Sequence, residues 1–280
     1  MNPTIAVLYG ELILSLYPIL IKSVNTNIFT QMLARFIVFP VLALTFGSTY
    51  DFTSIWSTPY EAFIGILHNI LNLLHIGVSY IAFKKLPVST AISLFYLYPI
   101  FNIIAGSLFG ESLSLMYIIL IFVSFTGTYL IAISYKDENK DKDYMAIIMG
   151  ILAAVTETMI FISVRHKQVS PYYTINHLYP AGLIALVGYA IFNKNVVDTN
   201  PINWTKLIGF NALLGFTGYI ARFYAIPKIP IILFSLLSFF GVSFGYLWDI
   251  LFTGNKITIK AILGSFMIVG STGLLRYINI

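Results

Sequence analysis

Apolar runs of about twenty residues return ten times in this 280-residue chain, parted by short polar punctuation. They fall near 3–22, 26–46, 61–83, 87–109 and 114–134, then near 144–165, 172–192, 206–226, 230–252 and 258–277. A helix needs about 20 apolar residues to cross the hydrocarbon of a bilayer. The pattern therefore predicts an all-α integral membrane protein, multi-pass, with about ten transmembrane helices and short loops. Composition agrees, since 10% of residues are charged against roughly a quarter in a soluble domain. No length is left for a separate soluble domain. The first run lacks a basic leader and a small-residue cleavage site, so it is expected to be a retained helix.

The ten runs divide into five and five around the charged stretch 136–143, expected to be a solvated linker. Shifting the chain by 143 positions aligns Lys85 and Pro87 with Lys228 and Pro230, and gives seven identities over the 28 positions 82–109. An odd number of crossings per half forces the halves into opposite orientations. The predicted organisation is thus two inverted five-helix repeats, 1–135 and 144–280, a plan used by secondary transporters that bind substrate near the midplane.

Polar residues inside the runs mark candidate sites. Glu11 and Glu157 each lie in the first run of a half, and a charge at a helix centre costs about 2.5–3.5 kcal/mol on insertion scales. Both are candidates for holding a proton or a substrate ammonium. In the third run His68, Asn72 and His75 share a face with Gly65 and Ser79 at spacings of three and four. The eighth run presents Asn211, Gly215, Gly218 and Arg222 in the same way. Arg35 stands in the second run, and Arg222 and Asp249 stand close enough to helix ends to snorkel. Tyr96, Tyr98 and Asn102 are candidates for orienting a substrate, the tyrosine faces also offering cation–π contact to an amine. For the polar stripes two readings stay open, helix packing through small and hydroxyl residues and a solvated cavity built from runs 1, 3, 4, 6, 8 and 9. For the charges they are intramembrane ion pairing, such as Glu11 with Arg35 or Glu157 with Arg222, and a direct substrate or proton role. Pro18 is expected to open the first helix and free a carbonyl.

Leu86-Pro87-Val88-Ser89-Thr90-Ala91, then Tyr98-Pro99, then Phe109-Gly110-Glu111-Ser112-Leu113 resembles the EamA-like branch of the drug/metabolite transporter superfamily. The resemblance implies ten helices in two inverted repeats and export of small metabolites such as amino acids. In the second half Val242 and Gly254-Asn255-Lys256 replace the proline and the Gly-Glu element. Glu157 followed eight residues later by Arg165 is similar to the glutamate-to-cation spacing of the small multidrug resistance family. That likeness implies that Glu11 and Glu157 are a proton-exchanging pair fused into one chain.

The expected function is a secondary transporter, an exporter, of a small amine-bearing metabolite such as an amino acid, working by alternating access with proton coupling. Alternatives are an exporter of lipophilic or guanidinium-type cations and, from another class, a non-transporting receptor or assembly factor. An enzyme is not expected: there is no His-Glu-x-x-His and no Gly-x-Ser-x-Gly. His68 and His75 lie about 10 Å apart along a helix, too far for one ion. The chain has no cysteine, and no metal or cofactor is expected. The net charge of +5 is explained by loop lysines, without nucleic acid. Partners are the bilayer and a small substrate, with the chain a monomer or homodimer in a plasma membrane sooner than an organelle. Loop lysines and arginines number ten against four and place both termini outside, whereas the resembled family keeps both in the cytosol.

Overall fold

The computed structural model describes residues 1–53, 57–108, 110–111, 114–134, 143–167 and 169–274, with the side chains of Phe52, His166 and Lys167 left aside. The charged stretch 136–142, and Phe109, Ser112 and Leu113 of the loop motif, lie outside the described residues. Among the described residues ten long helical segments follow one another, with a short helix at Thr49–Thr53 between the second and third. They are α1 (Pro3–Ser23), α2 (Ile28–Phe46), α3 (Pro59–Lys85), α4 (Val88–Leu108) and α5 (Leu115–Ser134). Then come α6 (Tyr144–Lys167), α7 (Pro171–Phe192), α8 (Pro201–Phe210, Asn211–Phe216 and Thr217–Ala225), α9 (Ile231–Thr253) and α10 (Ile259–Leu274). Among the described residues eight are long and apolar enough to span a membrane. Of the other two, α10 is shorter and α8 carries a π-helical stretch that divides it. The protein is an all-α, multi-pass integral membrane protein.

Starts and breaks follow local chemistry. Asn2, Asn27, Thr58, Ser170 and Asn200 cap helix N-termini through their side-chain oxygens, and a proline follows four of the five in the first turn. Pro18, which lacks an N–H, accompanies a break after Leu14. The missing N–H leaves the Leu14 carbonyl without its i+4 donor. In the same break the Leu12 carbonyl accepts from Ser15 Oγ at 3.0 Å and from Trp248 Nε1 on α9 at 2.9 Å. Breaks also fall after Phe95 in α4, after Leu178 in α7 and after Ser238 in α9. The α4 and α9 breaks coincide under the 143-residue shift, although α9 has no proline where α4 has Pro99.

Packing crosses between the halves. α1 lies on α8, α3 on α6, α5 on α10 and α4 on α9. Exchanging the halves turns each of these pairings into itself or into another of them, as a pseudo-two-fold plan requires. Two glycines permit the tightest crossing: a Cβ on Gly127 or on Gly264 would run into the other's carbonyl oxygen, so α5 and α10 touch backbone to backbone. Ser124 and Ser271 share a 2.6 Å hydrogen bond in the same seam. Large apolar side chains point outward, as with Phe63, Ile66, Ile70 and Leu74 on α3, where lipid supplies the contact.

Gly127→Ala is therefore expected to destabilise the fold by about 1–3 kcal/mol through overpacking. Gly188→Ala, where a Cβ meets open space, is expected to be neutral or slightly stabilising. Thermal unfolding in detergent compares the two, and equal melting temperatures would discount the seam.

Candidate functional site

The α4 break positions the first half of the site. In a regular helix residues i and i+2 point about 200° apart, so Tyr96 and Tyr98 would not meet one group. The break between Phe95 and Tyr98 removes that constraint. The Tyr96 hydroxyl donates to Glu11 Oε2 at 2.7 Å and the Tyr98 hydroxyl to Glu11 Oε1 at 2.9 Å. Gly241 on α9 leaves room for this arrangement, since a Cβ there would collide with the Tyr96 ring. Glu11 is wholly buried, and both its oxygens are engaged.

Arg222 joins the two carboxylates. Its Nη2 lies 2.7 Å from Glu157 Oε1 and its Nη1 4.0 Å from Glu11 Oε1. Close approach of α1 and α8 at Gly10 makes this possible, because a Cβ there would press on the Gly218 carbonyl and Arg222. None of the three guanidinium nitrogens has an N–H aligned on an acceptor, so the pairing is Coulombic with little directed hydrogen bonding. The Tyr98 ring covers the guanidinium at 4.5 Å. On the far side of Glu157, His75 Nε2 approaches Oε2 at 3.0 Å, again off the hydrogen-bond axis. His75 Nδ1 lies 3.0 Å from Thr156 Oγ1, whose hydroxyl is already given to the Leu152 carbonyl at 2.8 Å. The Thr156 oxygen is left as an acceptor, which assigns a proton to Nδ1.

A cavity opens beside this cluster, lined by α1, α2, α3, α4 and α8. Its charged or chargeable walls are Arg35, Arg222 and His75, with hydroxyls from Tyr17, Tyr80, Tyr96, Tyr219, Ser15 and Ser79. Neither Glu11 nor Glu157 is in the lining. Both stand one layer behind it, Glu11 covered by Tyr96. The expected wall of helices 1, 3, 4, 6, 8 and 9 is thus corrected: α2 takes part, while α6 and α9 stand behind. Arg35 donates through Nε and Nη2 to the Tyr179 hydroxyl at 3.1 and 3.0 Å.

The remaining sequence candidates are dispersed. Asn72 donates to the Leu178 carbonyl at 2.9 Å, and its neighbour Asn69 spans the same α7 break. Asn69 donates to the His177 carbonyl and accepts from the Ala181 and Gly182 amides. These two asparagines hold α7 open at Tyr179 and so aim Tyr179 at Arg35. His68 is outside the cavity, its ring 4.9 Å from that of His177 in a smaller pocket. Asn102 is fully buried but not in the cavity lining. Of the two ion pairs considered from sequence, Glu157 with Arg222 is present, whereas the guanidinium near Glu11 is that of Arg222 and not of Arg35. Arg222 does not snorkel, being 1% exposed, and Asp249 is likewise buried, accepting from Thr253 and Asn255. Arg165 does not meet Glu157: it pairs with Glu111 at 2.7 Å and donates to the Ile226 and Ile229 carbonyls. Sequence missed Tyr17, Tyr179 and Tyr219, whose signal was aromatic residues within otherwise polar-facing turns.

Residues 144–277 match the model of the EamA-like transporter family. A crystal structure of another protein aligns over 99% of this chain and 98% of its own length, with a TM-score of 0.78 at 13% identity. That identity makes the likeness one of fold. No curated protein matches the chain. The match over the second half, in an all-α membrane fold, supports membership of the drug/metabolite transporter superfamily.

Proposed function

We propose that this membrane transporter is a secondary, proton-coupled exporter of a small metabolite carrying both an amine and a carboxylate, the chemistry of an amino acid. Residues 1–135 and 144–280 act as two repeat units rocking about the cavity, in a plasma membrane, as a monomer or homodimer. The observation that carries this reading is the buried Glu157–Arg222 pair at the cavity's edge. Removing one partner from a buried ion pair costs about 3–5 kcal/mol, because the other charge is left alone. A zwitterion avoids that cost. Its carboxylate takes Arg222 while its ammonium takes Glu157, so each buried charge changes partner without losing one.

A purely cationic substrate fits less well. The cavity presents two guanidinium groups and no carboxylate in its lining, so a lipophilic or guanidinium-type cation would meet like charge first. His75 connects the cavity to Glu157 and gives a proton a route to that carboxylate without passing Glu11.

Alternating access has polar closures to work on. At the face holding the α4–α5, α6–α7 and α8–α9 connections, Glu111 bridges Arg165 and also accepts from the Ile231 amide at 3.1 Å. At the opposite face Asn27 donates to the Val196 carbonyl and Asn203 to the Asn25 carbonyl. Each contact ties one half to the other, so opening a face requires breaking its set.

Thermal stabilisation of the purified protein tests the substrate class, since a ligand bound to the folded state raises the melting temperature. Amino acids are expected to stabilise, while the matching amines without a carboxylate are not, and E157Q and R222Q each abolish the effect. Stabilisation by amines alone would favour the cation exporter, and silence across the whole panel a receptor or assembly role.

In proteoliposomes E11Q and E157Q are each expected to remove proton-gradient-driven transport. Full pH-dependent transport in both variants would overturn the coupling role.

The natural absence of cysteine makes a gating test simple. A cysteine placed by I232C, beside the Glu111–Arg165 bridge, is expected to react several-fold faster with a thiol reagent when E111Q is added. An unchanged rate would mean that the bridge does not close that face.

A further inference from the structure

Arg35 sits in the cavity wall under conditions unlike those of Arg222. It is 3% exposed and surrounded by rings: its guanidinium carbon lies 4.6 Å from the Tyr219 ring centre, 4.8 Å from that of Phe39 and 5.1 Å from that of Tyr17. Tyr179 accepts two of its N–H groups. These neighbours offer π-faces and neutral hydroxyls but no counter-charge. Both nearby carboxylates are committed elsewhere, Glu157 to Arg222 and His75, and Glu11 to Tyr96 and Tyr98. Among the described residues no ion pair includes Arg35. A guanidinium kept buried, caged and without a carboxylate at the edge of a small-ligand cavity is prepared for an anion brought from outside.

We propose that Arg35 and its aromatic cage form a second anion subsite, and that the substrate carries two acidic groups and one amine: an amino dicarboxylic acid. This rests on the zwitterion reading of the cavity given above. One carboxylate takes Arg222, the ammonium takes Glu157, and the second carboxylate takes Arg35. A substrate bearing both signs and one extra negative charge brings the Arg35 end its missing partner.

Glutamate and glutamine are the probes, being nearly isosteric and differing in the side-chain charge. Binding of each to the purified full chain is measured by calorimetry. The wild type is expected to bind glutamate, or its shorter homologue aspartate, at least about thirtyfold more tightly than the amide, the loss associated with leaving a buried charge unpaired. R35K is expected to keep part of that preference and R35Q to abolish it, with amide binding retained. Equal or tighter binding of the amides by the wild type would overturn the second subsite and leave the zwitterion reading intact. A preference that persists unchanged in R35K and R35Q would overturn the assignment to Arg35. Binding of none of glutamate, glutamine, aspartate and asparagine by the wild type would overturn both readings. The wild-type ratio decides the matter even if R35Q fails to fold.

Discussion

One guanidinium, that of Arg222, lies between two carboxylates in the interior of a membrane-spanning bundle. Charges at that depth are tolerated when they are paired or face a cavity; here Arg222 lies between both carboxylates and itself faces the cavity. Much of the surrounding geometry serves that condition. Gly10 lets α1 approach α8 closely enough to bring Glu11 near Arg222. The α4 break turns two tyrosines toward one carboxylate. Asn69 and Asn72 on α3 hold the backbone of α7 apart at Tyr179, which in turn fixes Arg35. The breaks in the helices are therefore tied to the buried charges.

The two halves share a plan without sharing its chemistry. Under the 143-residue shift Glu11 falls opposite Ala154 and Glu157 opposite Leu14, so the two glutamates stand a helical turn apart in register. Their surroundings differ accordingly. Glu11 is held by two tyrosine hydroxyls with no counterpart in the second half, where Phe239 and Gly241 occupy the matching positions. Glu157 is held by Arg222 and His75. Ser79 and Arg222 are equivalent under the shift and both line the cavity, one neutral and one charged. Symmetry thus supplies the scaffold while single substitutions within it supply a polarity.

Much of the scaffold was legible in the chain itself. The ten apolar runs, the pairing of Lys85-Leu86-Pro87 with Lys228-Ile229-Pro230 and the loosening of the first helix at Pro18 all have counterparts in the structure. Each depends on residues near one another in sequence: run length, a proline's missing donor, a cap. The candidate site was legible by residue type, since Glu11, His75, Tyr96, Tyr98, Glu157 and Arg222 do converge. By partner it was legible only in part: Glu157 with Arg222 was one of the two ion pairs considered and is present, while Glu11 with Arg35 is not. His68 and Asn72 share the face of His75 yet serve the α7 break and a separate pocket, because a 3.6-residue period names a face and not what lies across from it. Arg165, eight residues after Glu157, lies about two turns along α6, where Glu111 reaches it.

By itself, the sequence determined that this chain must live in a bilayer as helices, since nothing else satisfies the backbone of so many consecutive apolar residues. It also determined that a few ionisable groups must be buried there, since the runs contain them. Only the tertiary structure decided that both carboxylates stand behind the cavity wall and both guanidiniums in it. That outcome depends on how α1, α2, α3, α4, α6 and α8 cross, and crossings are set by contacts between residues up to about two hundred positions apart, such as Glu11 and Arg222.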